Sequence, residues 1–327
     1  MEGKGKQSSF ELGLISQELA EVEEILLKET RSEARLIFQV SDHILKSGGK
    51  RFRPALLILS SRLCGYQGKE AIYYGAAIEY AHTATLLHDD VVDEARMRRG
   101  RVSANQLWGN QASVLVGDYL LFKAFQLILA LSNVRILNLL NEIALQMAEG
   151  EALQLERRGE IEISEAEYFS TIIDKTASLI SASCQIGAIL GEASLKEEEA
   201  LADFGLNVGI AFQLVDDALD YQLSSPGWGK EPGKDFMEGK ATLPLIRAYR
   251  LGDEHQKSRL RQLFEQRDQE AFLEVLSIIE ELKGLEYTME KARQYINTAK
   301  KNLAIFPESP YKTALDRMAD FVVERDY

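Results

Sequence analysis

The chain has 327 residues, 46% of them hydrophobic and 27% charged, with a formal net charge of −13. That is an ordinary soluble balance with enough apolar material for a large core, and the acidity argues against nucleic acid, whose phosphate backbone wants a basic surface. Cys64 and Cys184 are too few and too far apart for a disulfide framework or a zinc site, which fits free thiols in a reducing cytoplasm.

From the N-terminus, MEGKGKQSSF lacks the apolar core of a secretory leader. Leu12, Ile15, Leu19, Val22, Ile25 and Leu26 then recur at helical spacing and predict an amphipathic helix. KSGGKRFRP (46–54) interrupts the pattern with a basic loop. A further apolar run ends in ATLLH and delivers DDVVD at 89–93. MRRGRVSANQLWGN (97–110) is a second basic loop inside an acidic protein. ASVLVGDYLLFKAFQLILALS is the most apolar stretch, but Asp118 and Lys123 break it, so no membrane span is predicted. Ser164 with Glu167, and Ser194 with Glu197, read as capping boxes that open two more long helices. The second of these runs through AFQLV into DDALD at 216–220, and a Gly- and Pro-rich loop, QLSSPGWGKEPGKDFMEGK (222–240), follows. No proline lies between Pro54 and Pro226, which suits uninterrupted helices. No sustained alternation of period two is present, so the chain is predicted to be all-α, without a sheet. No linker divides it, and residues 1–327 are expected to form a single domain.

The two acidic boxes carry the chemistry. A helix turns about 100° per residue, so Asp89 and Asp93 share a face with Asp90 to one side. Asp216, Asp220 and Asp217 repeat the arrangement. Like charges at this spacing destabilise a helix, and burial in a cleft raises the cost, so a cation should offset them. Carboxylates without a good set of Cys or His suit a hard ion, Mg²⁺ rather than Zn²⁺, held by one or two carboxylates plus substrate phosphate. Two boxes facing each other across a helical cavity would hold several ions around one diphosphate. Lys50, Arg53, Arg98 and Arg99 are then the bases that bind phosphate oxygens the metal does not. A lone D-D-x-x-D is as well read as a solvated acidic face; two, each ending an apolar helical run, favour the metal.

With DDVVDEARMRRG, GIAFQLVDDALDY, GGKRFRP, DKT and GKDFMEGKATLPL in this order, the chain resembles the trans-polyprenyl diphosphate synthases over nearly its whole length. The resemblance implies an all-helical isoprenoid synthase fold around a central cavity, usually as a homodimer. It implies Mg²⁺-dependent, head-to-tail addition of isopentenyl diphosphate to an allylic diphosphate such as geranyl or farnesyl diphosphate. It implies Asp89, Asp93 and Asp216 as Mg²⁺ ligands, supported by Asp90, Asp217 and Asp220. Lys50, Arg53, His82 and Arg99 would hold isopentenyl diphosphate. Arg98, Lys175, Thr176, Gln213, Lys230 and Lys240 would hold the allylic diphosphate. Lys234 departs from the pattern, standing where many relatives carry a second Asp beside Asp235.

Bulky aromatics just before the first box stop chain growth early in this family. Ala84 and Thr85 are small, so a long product is expected, with Leu145 or Met147 as a deeper floor. Three rivals compete. A di-iron bundle would use Glu79 with His82 but needs a second Glu-x-x-His, which is missing. A class I terpene cyclase would not need GGKRFRP, and its second metal motif usually mixes Asn, Ser or Thr with Glu. An inactive partner subunit of a heteromeric synthase would not need both boxes intact.

Overall fold

The computed structural model describes residues 12–28, 30, 32–222 and 232–324. A 3₁₀ turn (Leu12–Ile15) leads into α1 (Ser16–Lys28), α2 (Arg35–Leu45), α3 (Phe52–Leu63) and α4 (Glu70–Val92). A hairpin, β1 (Met97–Arg98) and β2 (Arg101–Val102), precedes α5 (Ala104–Trp108), α6 (Asn110–Ala130) and α7 (Val134–Glu156). Then come α8 (Glu165–Ile172), a π-helical turn (Ile173–Ala177), α9 (Ser178–Leu190) and α10 (Leu195–Asp220). The C-terminal part holds α11 (Lys234–Met237), α12 (Leu243–Leu251), α13 (Glu254–Gln266), α14 (Gln269–Glu281), α15 (Gly284–Asn302) and α16 (Pro310–Glu324).

The all-α expectation holds with one correction. The basic loop at 97–110 contains a two-stranded antiparallel ladder, Met97 opposite Val102 and Arg98 opposite Arg101. Arg99 (φ 52°) and Gly100 (φ 74°) both take left-handed conformations, as a type I′ hairpin turn requires. Strands of two residues are too short for an alternation to register in sequence.

The chain resolves into two compact units. The first comprises Met1–Asn141, Ala182–Ala202 and Ile305–Arg317, the second Glu142–Ser181, Asp203–Ala304 and Met318–Tyr327. In the first unit α4 is the central helix, with α1, α3 and α6 packed on it. Its composition explains this: Ala71, Tyr74, Ala77, Ile78, Tyr80 and Leu87 are all buried, a wide apolar surface for its neighbours. The Tyr80 hydroxyl donates to the Leu26 carbonyl at 2.8 Å and ties α1 to this core.

α6 has two apolar faces. Ala112, Val116, Leu120, Ala124 and Ile128 are buried inside the unit. Leu115, Phe122 and Leu129, seven residues apart, are 63%, 70% and 57% exposed. By length and composition alone α6 could cross a membrane, a test that a core helix of a soluble protein also passes.

In the second unit α12 packs against α15, α14, α13 and α8. The Ser164–Glu167 capping box forms as expected, and so does the Ser194–Glu197 pair before α10 in both its hydrogen bonds. The helix opened at Ser164 is not continuous, however: it widens into a π turn over Asp174-Lys175-Thr176. An aromatic cluster anchors the segment after the second acidic box. Phe236 lies 5.7 Å from Phe264 and 6.0 Å from Phe272, whose ring is 5.8 Å from Tyr221.

Candidate active site

Each acidic box sits at the C-terminal end of a long helix. α4 stops at Val92 with Asp93 as its C-cap, whose N–H donates to the Asp89 carbonyl at 2.8 Å. α10 stops at Asp220. Carbonyls already make these ends negative, so acids there favour a neighbouring cation. The three aspartates of the first box divide in two. Asp89 and Asp93 are half-buried on one face. Asp90 is fully buried, and its Oδ1 accepts from Arg98 Nε at 2.8 Å and Nη2 at 2.6 Å. Its carbonyl accepts from Asn105 Nδ2 at 2.9 Å. Asp90 thus fastens the hairpin to α4, and Arg98 is engaged by protein in this state.

Beside this box in the first unit, the basic residues gather around His82. Burial first, then the positive field of Arg53, Arg99, Arg98 and Arg51, holds the imidazole well below its ordinary 6.5. His82 is therefore neutral at physiological pH, with an N–H to donate. Lys50 is exposed, and the Arg99 guanidinium donates to the Gly48 carbonyl in the same loop. Arg53, Arg99 and Arg98 thus share the surroundings of His82, although the resemblance places Arg98 with the allylic-diphosphate group.

Sequence reasoning missed Arg51. It is buried in a left-handed conformation (φ 46°) at the N-cap of α3. Its guanidinium binds the Glu23 carboxylate, Glu79 Oε1 at 2.9 Å and the Leu45 carbonyl at 3.2 Å. Glu79 is thereby committed to an ion pair, which removes it from the di-iron alternative. Nothing in GGKRFRP separates a structural arginine from its two neighbours, because the difference lies in a backbone dihedral.

In the second unit, Lys175, Thr176, Gln213, Asp217, Asp235 and Lys240 line one cavity of about 110 Å³. Lys175 Nζ lies 2.5 Å from Glu151 Oε2 and donates to Gln154 Oε1 at 2.8 Å. The π turn that presents Lys175 is pinned by close helix approach. A Cβ at Gly150 would stand 2.7 Å from Asp174 Cβ, and one at Gly209 2.6 Å from the Ala177 Cα. π turns are rare and concentrate at functional sites, and no periodicity announces them.

Asp217 is buried and accepts two hydrogen bonds, from Tyr168 Oη at 2.6 Å and Gln213 Nε2 at 2.7 Å, while Gln213 Oε1 accepts from Thr176 at 3.1 Å. Burial, then the nearby Asp235 charge, raises its pKa well above the usual carboxylate range. Asp220 caps α11, accepting from the backbone N–H of Asp235 at 2.9 Å. Lys240 lies 2.8 Å from Glu238 Oε2 at the cavity wall, and Lys234 lies 3.2 Å from Glu238 Oε1. Lys230 lies outside the described residues. Leu145 is 60% exposed on α7, and Met147 is half-buried.

The donors fit Mg²⁺. They are hard carboxylate oxygens at negative helix ends, and among the described residues no group of three or more His, Cys, Asp or Glu closes a metal site alone. Mg²⁺ is commonly held by one or two carboxylates, with water and substrate phosphate completing its shell.

An all-α scaffold with two such boxes, each accompanied by cationic side chains, defines an enzyme that handles diphosphates. The profile of the polyprenyl synthetase family matches residues 34–282. The chain is 42% identical to an octaprenyl diphosphate synthase of Haemophilus influenzae, over 96% of each chain. It is 40% identical to the Escherichia coli octaprenyl diphosphate synthase, over 96% of this chain and 97% of that one. Its fold matches a crystal structure of a polyprenyl synthase from Caulobacter crescentus complexed with calcium and isoprenyl diphosphate, with a TM-score of 0.93 and 38% identity, over 97% of this chain and 98% of that one. It likewise matches a decaprenyl diphosphate synthase from Rhodobacter capsulatus, with a TM-score of 0.92 and 40% identity over the same shares. The chain belongs to the polyprenyl synthetase family. It is by class a prenyltransferase that condenses isopentenyl diphosphate with an allylic diphosphate.

Proposed function

We propose that this chain builds a long all-trans polyprenyl diphosphate by repeated addition of isopentenyl diphosphate to geranyl or farnesyl diphosphate, with Mg²⁺ as its metal. The observation that carries this reading is the placement of both acidic boxes at negative helix ends, each with cationic side chains in its own unit. Asp89, Asp93 and Asp216 are the Mg²⁺ ligands. Bound there, Mg²⁺ would supply Lewis-acid stabilisation of the leaving diphosphate. Lys175, Thr176, Gln213, Lys240, Lys230 and Arg98 orient the allylic diphosphate. Lys50, Arg53, Arg99 and the neutral N–H of His82 hold isopentenyl diphosphate. No Ser, Cys or His nucleophile is required, since the alkene of isopentenyl diphosphate attacks the ionised allylic carbon and a proton is then lost.

Product length follows from the small Ala84 and Thr85, and the octaprenyl synthases among the relatives favour a product of that class. We read residues 1–327 as one functional domain, because four of the five chain crossings between units fall inside α7, α9, α10 and α16. A homodimer is supported by the exposed Leu115–Phe122–Leu129 stripe. A cytoplasmic setting is supported by the two unpaired thiols. The test incubates the purified chain with Mg²⁺, farnesyl diphosphate and labelled isopentenyl diphosphate and sizes the products. A ladder ending in a long polyprenyl diphosphate, abolished by EDTA, is expected. No incorporation by folded protein would overturn the synthase reading and favour the partner-subunit alternative.

A further inference from the structure

Tyr168 belongs to none of the motifs that identify the family, yet it stands at the head of a hydrogen-bond chain through the second unit's cavity. Its hydroxyl donates to Asp217 Oδ2 at 2.6 Å. Asp217 Oδ1 accepts from Gln213 Nε2 at 2.7 Å, and Gln213 Oε1 accepts from the Thr176 hydroxyl at 3.1 Å. The chain runs from α8 to α10 and back to the π turn. Tyr168 is 4% exposed and Asp217 3%, so water does not compete for these bonds. In the structure the Tyr168 phenol donates to the Asp217 carboxyl, the Gln213 amide presents Nε2 to the same carboxyl, and its oxygen is left facing the Thr176 hydroxyl. Removing the first donor therefore frees Asp217 to turn, and with it the amide that orders Thr176.

We infer that Tyr168 is a positioning residue for the allylic half of the reaction: it sets the orientation of Asp217 and, through Gln213, of Thr176, so that the second acidic box and the Lys175–Thr176 turn act as one preorganised receptor for the allylic diphosphate and its cation. It touches no reacting atom. The inference rests on the reading under Proposed function.

The test measures binding rather than turnover. Farnesyl thiodiphosphate, an unreactive analogue, is titrated with Mg²⁺ into the intact chain by calorimetry. Wild type, Tyr168→Phe, Asp217→Ala and the double variant are compared, and the KM for isopentenyl diphosphate is taken separately. Tyr168→Phe keeps the ring and its packing, and its circular dichroism should match wild type. A buried hydrogen bond of this kind corresponds to about a tenfold change in affinity. The expected result is therefore about tenfold weaker analogue binding in Tyr168→Phe, an unchanged KM for isopentenyl diphosphate, and no further loss when the change is added to Asp217→Ala. Analogue binding equal to wild type, or a loss that simply adds to that of Asp217→Ala, overturns the positioning role while leaving the proposed function intact. Failure of wild type itself to bind the analogue with Mg²⁺ overturns the proposed function, and this inference with it.

Discussion

Thr85 stands one turn before Asp89 on α4, half-buried, with its hydroxyl donating to the His82 carbonyl at 2.8 Å. Ala84 beside it is 1% exposed. The two positions, equivalent in sequence, are therefore not equivalent in space. Thr85→Phe, at a half-buried position, should shorten the product ladder by at least one isoprene step while the protein stays folded, read by chromatography of the chain lengths. An unchanged ladder would count against Thr85 as a length determinant. Ala84→Phe must overpack the core and should cost about 1–3 kcal/mol whatever it does to length. His82 has a separate signature. Its folded value lies below its unfolded one of 6.5, so protonation favours the unfolded chain. Its contribution to stability is full above the unfolded value and falls away as pH drops toward the folded one. His82→Asn should lose less stability than wild type between about pH 7 and 5, measured by urea unfolding across that range. At this scale the acids were legible, because i,i+4 spacing fixes a shared face. Arg51 and Tyr168 were not: one is distinguished by a left-handed dihedral, the other by a partner 49 residues away.

At the level of elements, the π turn over Asp174-Lys175-Thr176 shows how helix packing can serve a side chain. Gly209 of α10 allows the turn to approach, since any Cβ there meets the Ala177 backbone. Gly209→Ala should cost about 1–3 kcal/mol and displace Lys175 without touching it. Steady-state kinetics should show a raised KM for the allylic primer and an unchanged KM for isopentenyl diphosphate. A uniform fall in kcat alone would argue against the coupling. Helix starts were readable, because a Ser followed three residues later by Glu satisfies orphan N–H groups by local chemistry. The π turn and the short hairpin were not, since neither changes the apolar period over enough residues to register.

For the whole molecule, α6 raises the question of what covers its outer stripe. Three large apolar side chains at seven-residue intervals form a seam suited to another helix. Phe122→Glu should shift the chain toward monomer in sedimentation equilibrium, and its melting temperature should lose the concentration dependence expected of the dimer. A wild type that sediments as monomer throughout would remove the homodimer from the proposal.

The interleaving of the two units bears on how the protein is made. A nascent chain leaves the first unit after Asn141, revisits it at Ala182–Ala202, and supplies its last portion only with Ile305–Arg317. Leu315, at the centre of that portion, is fully buried. Neither unit can therefore be completed until almost the whole polypeptide has cleared the ribosome, and translation halted before residue 305 leaves both with core surface uncovered. A chain cut just before Ile305 should therefore be as poorly folded as one cut near residue 141, read by the soluble yield of each truncated product.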